Sequence, residues 1–179
     1  LRLLLIEISQ MALTQNILLV QNINTLIEAS GLTDEAFSNL MGFSLRKLKY
    51  IKAGKTEIKL KDLEAVSQFF NVSLREITAR KLSLEAGFRN KLLKFHHKNK
   101  ELVVLLEEQP SIVYSVKNVL IKDDFFKKTV EIKEIKHFLL QYGWAYTSSA
   151  ISMAMLRMPD LIKIEPHPTK KGTFVYSRK

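Results

Sequence analysis

The sequence predicts a mainly α-helical protein of two small domains, with one β-hairpin near the end of the chain. Three observations lead there. Apolar residues recur at three- and four-residue spacing along most of the length, as a buried helix face requires. Glycines and prolines punctuate that pattern where helices must stop, at Gly31, Gly42, Gly54, Pro110, Gly143 and Pro159. Finally, Leu161-Ile162-Lys163-Ile164 and Thr173-Phe174-Val175-Tyr176 read as paired strands around a turn that holds Pro166, Pro168 and Gly172. The 179 residues suit one large domain or two small ones, and 46% hydrophobic content is ample for two packed cores.

Charge narrows the partner. The chain carries 28 Lys+Arg against 18 Asp+Glu, a formal net charge of +10. That sign favours a polyanion, either nucleic acid or an anionic membrane surface. The absence of cysteine excludes a disulfide framework, a thiolate zinc finger and thiol catalysis, and makes the cytoplasm the expected location. Residues 1–14 are read as an apolar N-terminal extension, within which Met11-Ala12 is an alternative start. Glu7, Ser9, Gln10, Thr14, Gln15 and Asn16 interrupt the apolar run over residues 1–20. It is therefore read as a packed or partner-binding segment, with no membrane span and no signal peptide.

The first helix is expected from about Gln15 to Ser30, with Ile23, Leu26 and Ile27 inward and Gly31 as its stop. Thr33 then caps a second helix whose first turn holds Asp34 and Glu35 and whose apolar face is Phe37, Leu40 and Met41. Gly42 ends it. Ser44 caps a third, in which Leu48 and Ile51 point inward while Arg46, Lys47, Lys49 and Lys52 point outward. Two short helices joined by a tight turn, the second one basic, make a helix-turn-helix. Leu60, Leu63, Val66, Phe69 and Phe70 mark a fourth helix, and Ser73 caps a fifth turn with Leu74 and Ile77. Up to Thr78 there are nine basic and eight acidic residues, yet seven of the nine lie between Arg46 and Lys61.

Residues 15–78 resemble the phage-repressor or Xre-type helix-turn-helix family. The resemblance rests on Gly31-Leu32-Thr33, Gly42, Ser44, Leu48, Ile51, Gly54, Leu60, Leu63, Val66, Phe70 and Val72-Ser73-Leu74, which fit without a gap. Three positions differ: Asp34 stands for a usual glutamine, Leu45 for a common polar base reader and Ile58 for a usual proline. The resemblance implies a five-helix repressor-like domain that lays residues 44–53 in the major groove of double-stranded DNA. Ser44, Leu45, Arg46, Lys49 and Tyr50 would then face the bases, and Lys47, Lys52, Lys55 and Lys59 the phosphates. Arg46 is the best-placed residue for a bidentate guanine contact. Tyr50 is read either as a base or sugar contact or as a core residue.

Residues 79–110 are expected as a helical connector. Phe88, Leu92, Phe95, Asn99, Leu102 and Leu106 alternate by four and three, a short seam with an asparagine in it, which suits either a homodimer or intramolecular packing. Pro110 opens a second domain over residues 111–179. Its elements are a stripe of Ile112, Val113, Val116, Val119 and Leu120, a short extended Thr129-Val130 and a helix from Glu131 to Tyr142. A further helix capped by Thr147 or Ser148 carries Ile151, Ala154, Met155 and Met158, and the hairpin follows.

In outline this order resembles a winged helix. The resemblance implies that residues 148–158 hold the recognition position and that residues 166–173, with Lys170 and Lys171, form the wing. The recognition stretch is bland, since Arg157 is its one charged residue, so reading there would rest on serines and on apolar contacts to thymine methyls.

Four scattered histidines show no ligand spacing, so no metal or cofactor is expected. Met153, Met155 and Met158 are read as core filling. There is no phosphate-binding glycine loop and no nucleophile with a base, so the chain is not expected to be an enzyme. The expected function is that of a sequence-specific DNA-binding transcriptional regulator, with no small-molecule effector identifiable. The alternative is a protein-interaction adaptor that keeps the helix-turn-helix fold without base-specific binding, for which Asp34 and Leu45 speak.

Overall fold

A 29-residue helix, α1 (Arg2–Ser30), leads the chain in a computed structural model that describes residues 2–85 and 87–179, with side chains described from Thr14 onward. It begins well before the expected Gln15, because the polar residues that break the hydrophobic run do not break a helix and no glycine or proline precedes Gly31. The side chains of residues 1–13 of the N-terminal extension lie outside the described residues. The chain is mainly helical with a single two-stranded antiparallel hairpin among the described residues. No described helix is long and apolar enough to cross a membrane. It divides into two units, residues 1–107 and 108–179.

In the first unit α1 is followed by α2 (Asp34–Leu40), α3 (Leu45–Lys52), α4 (Leu60–Phe70), α5 (Leu74–Ala79), α6 (Phe88–Phe95) and α7 (Lys100–Glu107). The predicted caps form. The Thr33 hydroxyl accepts from the Ala36 N–H and the Ser44 hydroxyl from the Lys47 N–H, each at 3.1 Å, and Ser73 and Glu76 close a reciprocal capping box. Gly42 and Gly54 stop α2 and α3 at φ of 66° and 67°, a left-handed conformation that side chains resist. At each stop the next residue's N–H reaches back five positions, Phe43 to the Ser38 carbonyl and Lys55 to the Tyr50 carbonyl, both at 2.8 Å. Ile23, Leu26, Phe37, Leu48, Ile51, Val66, Phe70 and Ile77 form one core, with the Phe37 and Phe70 rings stacked at 5.9 Å. Leu60, expected among the apolar markers of α4, is its first residue and stands 65% exposed.

The stretch expected as a connector packs into this core. Leu92 and Leu106 are buried in it, and Phe88 and Leu102 lie against it. Two side chains break the seven-residue seam into α6 and α7. His96 ends α6 with its Nε2 2.7 Å from the Phe69 carbonyl oxygen and its ring stacked on Phe69. Asn99, the seam asparagine, instead accepts from the Leu102 N–H at 3.2 Å and caps α7. Upstream, the buried Asn22 amide of α1 donates to the Ile77 and Arg80 carbonyls and accepts from the Leu82 N–H, which pins the exit of α5 to α1.

The second unit contains α8 (Ile112–Asn118), two short 3-10 turns (Leu120–Lys122 and Asp124–Lys127), α9 (Ile132–Leu140), α10 (Ser148–Leu156), β1 (Ile162–Pro166) and β2 (Phe174–Arg178). Thr147, and not Ser148, caps α10. The strands pair antiparallel with Ile164 opposite Tyr176. Val130 adds a one-residue rung, exchanging both backbone hydrogen bonds with Tyr176 at 2.8 and 2.9 Å. Val116, Leu120, Phe126, Ile135, Leu139, Ile151, Met155 and Met158 fill the core beneath. Met153, expected to join them, is 48% exposed because it falls on the outer side of α10.

Candidate nucleic-acid interface

Leu48 and Ile51 are buried and fix the orientation of α3. A helix held by that stripe must present its remaining residues outward. Leu45, Arg46, Lys49 and Tyr50 share that exposed face, and no carboxylate occurs in α3. Tyr50, for which a core position was an alternative, is 39% exposed, as is Leu45. Arg46 and Tyr50, one helical turn apart, are joined: Arg46 Nε and Nη2 donate to the Tyr50 hydroxyl oxygen at 3.1 and 3.0 Å. Ser44 spends an oxygen lone pair on capping the helix.

The residues expected at phosphates separate into two groups. Lys47 donates to Asp62 of α4 at 2.6 Å, with its ammonium 4.1 Å from the centre of the Phe43 ring. Lys52 donates to Asp34 of α2 at 2.7 Å. Both cations flank α3 and are already matched by carboxylates of neighbouring helices. Lys49, Lys55 and Lys59 are exposed and have no ion pair among the described residues. Sequence reasoning flagged Asp34 as a departure but missed both pairings, which span 18 and 15 residues and obey no helical period.

In the second unit the expected wing is anchored. Lys170 Nζ and His167 Nε2 both reach Glu131 Oε1, at the start of α9. His167 Nδ1 accepts from the Thr169 and Lys170 N–H groups at 3.1 and 3.0 Å, which leaves Nε2 to carry the proton it donates to Glu131. The Glu131 carboxyl is held below its ordinary value, first by the hydrogen bond from Lys170 and further by the Lys170 charge and the hydrogen bond from His167. Lys171 is exposed and without an ion pair among the described residues. The outer face of α10 offers Ser148, Ser149, Met153 and Leu156. Between α9 and α10 lies an open groove of about 500 Å³ lined by Ile132, Lys133, Lys136, Ser148, Ser149 and Ser152. Lys133 and Lys136 were not singled out from sequence; the signal was their three-residue spacing on the side of α9 opposite Ile135 and Leu139.

Against known proteins, the chain matches no family model, no curated protein and no solved structure.

Proposed function

We propose that this chain is a non-enzymatic, sequence-specific DNA-binding regulator of transcription that inserts α3 into the major groove. One observation carries the reading. The outward face of α3 holds Arg46, Lys49 and Tyr50 with no carboxylate, and the free lysines Lys55 and Lys59 follow it in the chain. Such a face suits base edges flanked by phosphates. The cap, glycine stop and second cap at Thr33, Gly42 and Ser44 support a repressor-like helix-turn-helix built from α2 and α3. The order helix, single rung, helix, helix, hairpin supports a winged-helix-like second unit.

A module of this size reads few base pairs, so useful specificity calls for a second one, from a homodimer or from the second unit. The seam of residues 88–106 is not the dimer surface in this proposal, since Leu92 and Leu106 are buried in their own unit.

The adaptor reading draws on Asp34 and Asp62, which neutralise two of the α3 lysines, and on the exposed Leu45. Selection from a pool of random duplexes separates the two. Enrichment of a common sequence is expected for the regulator, and recovery of an unenriched pool, or of no DNA, for the adaptor.

A further inference from the structure

The hydrogen-bonding groups on the outward face of α3 are one-sided. Arg46 directs two N–H groups at the Tyr50 oxygen, so the phenol's accepting capacity is used and its own O–H remains to donate. Nη1 of the guanidinium has no hydrogen bond among the described residues. Lys49 has donors only. Asp34 and Asp62, the carboxylates that reach α3, are held by Lys52 and Lys47 at its flanks. Neither asparagine nor glutamine occurs in the helix, and the Ser44 hydroxyl already accepts from the Lys47 N–H. Beside these donors stands Leu45, apolar and exposed.

We infer that this face reads a short run of keto bases, guanine and thymine, on one strand of its DNA site. The inference rests on the proposed DNA-binding function. In the major groove guanine presents N7 and O6 as acceptors, and thymine presents O4 beside its C5-methyl group. Adenine and cytosine project amino donors there, which need an acceptor from the protein. A face of donors, whose one spare acceptor is the second lone pair of the Ser44 hydroxyl, pairs every polar group on guanine and thymine, and leaves the amino groups of adenine and cytosine largely unmatched. Arg46 supplies the fork for guanine. Leu45 supplies the surface for a thymine methyl. Tyr50 is a positioning residue, because its oxygen fixes the guanidinium before DNA arrives, at the cost of a side-chain rotation already paid in the free protein.

The test uses the full chain and duplexes recovered from a random pool. The recovered sites should share neighbouring guanine and thymine on one strand. Replacing the guanine with the analogue that has carbon in place of N7 should weaken binding roughly tenfold, the range of a lost base-edge contact. Uracil in place of thymine should weaken it less. Tyr50→Phe keeps the ring but not the oxygen, so it should shrink the penalty for the guanine analogue relative to the parent. Arg46→Lys should shrink it as well. Recovered sites dominated by adenine or cytosine, or affinity indifferent to loss of N7, overturn the inference while DNA binding stands. A chain that enriches no duplex removes the function and this inference together.

Discussion

The Lys47 ammonium lies 2.6 Å from the Asp62 carboxylate, an ion pair that ties α3 to α4 on the flank of its outward face. A lysine so engaged gives less to a phosphate than its charge suggests, because the carboxylate must be shared or released first. Asp62→Asn should therefore strengthen binding to every duplex and steepen the salt dependence by about one unit. The loss of a partly exposed pair should cost about 1 kcal/mol of stability or less. Asp34→Asn should act alike through Lys52. Titrations across a salt series measure both, and a slope unchanged in each variant would remove Lys47 and Lys52 from the phosphate contacts.

Arg46→Ala should lower affinity for the specific site by about 1–3 kcal/mol and relax preference at one base pair. Lys55→Ala should instead weaken all duplexes about equally and shallow the salt slope by about one unit, since a phosphate contact releases counterions without reading sequence. If the two variants behave alike, the division of α3 and its following loop into readers and holders is wrong.

Leu106→Ala should destabilise the first unit by about 2–5 kcal/mol, the range for a fully buried leucine. Val104→Ala, two residues away on the exposed side of α7, should stay within about 0.5 kcal/mol. Denaturant unfolding measures the contrast. Equal, small effects would return residues 100–107 to the role of a free connector.

Glu131 yields a pH prediction whose sign follows from its lowered pKa. A carboxyl with a depressed value in the folded state contributes stability above the ordinary glutamate range, and that contribution fades as pH falls through the depressed value. The melting temperatures of the parent and Glu131→Gln should accordingly differ most near neutral pH and converge in acid. A gap that widens on acidification would show that His167 and Lys170 do not depend on this carboxylate.

Lys170 and Lys171 should prove unequal on DNA if the hairpin turn meets phosphate. Lys171→Ala should reduce the salt slope by about one unit, whereas Lys170→Ala should reduce it less, because Glu131 already holds that ammonium. Glu131→Gln should then make the two alike. An unchanged slope in all three variants would assign the hairpin turn to protein contacts.

Local chemistry accounts for what was legible in the sequence. Thr33, Ser44, Ser73 and Thr147 announce helix starts because capping needs only the next three residues, and Gly42 and Gly54 announce stops for the same reason. The inward stripes through Leu48, Ile51, Ile151 and Met155 followed from period alone. Asn99 was misread because a seam asparagine and a helix cap occupy the same position in a seven-residue pattern; only the backbone turn before it tells them apart. The partners of Lys47, Lys52 and Lys170 were illegible because each ion pair depends on how two separate elements pack. On the candidate face, the residues were legible and the Arg46–Tyr50 bond was not, since either side chain could have pointed elsewhere.

The Asn22 amide also bears on how the protein is made. Its three partners are the backbones of Ile77, Arg80 and Leu82, more than fifty positions downstream. While the ribosome has delivered only the first helices, this amide has nothing inside the fold to bind, and burying it unmatched costs about 1–3 kcal/mol. Completion of the N-terminal unit during synthesis therefore waits for Leu82 to leave the exit tunnel, and then for Leu92 and Leu106. A nascent chain stalled just after α5 would hold α3 on an unfinished core.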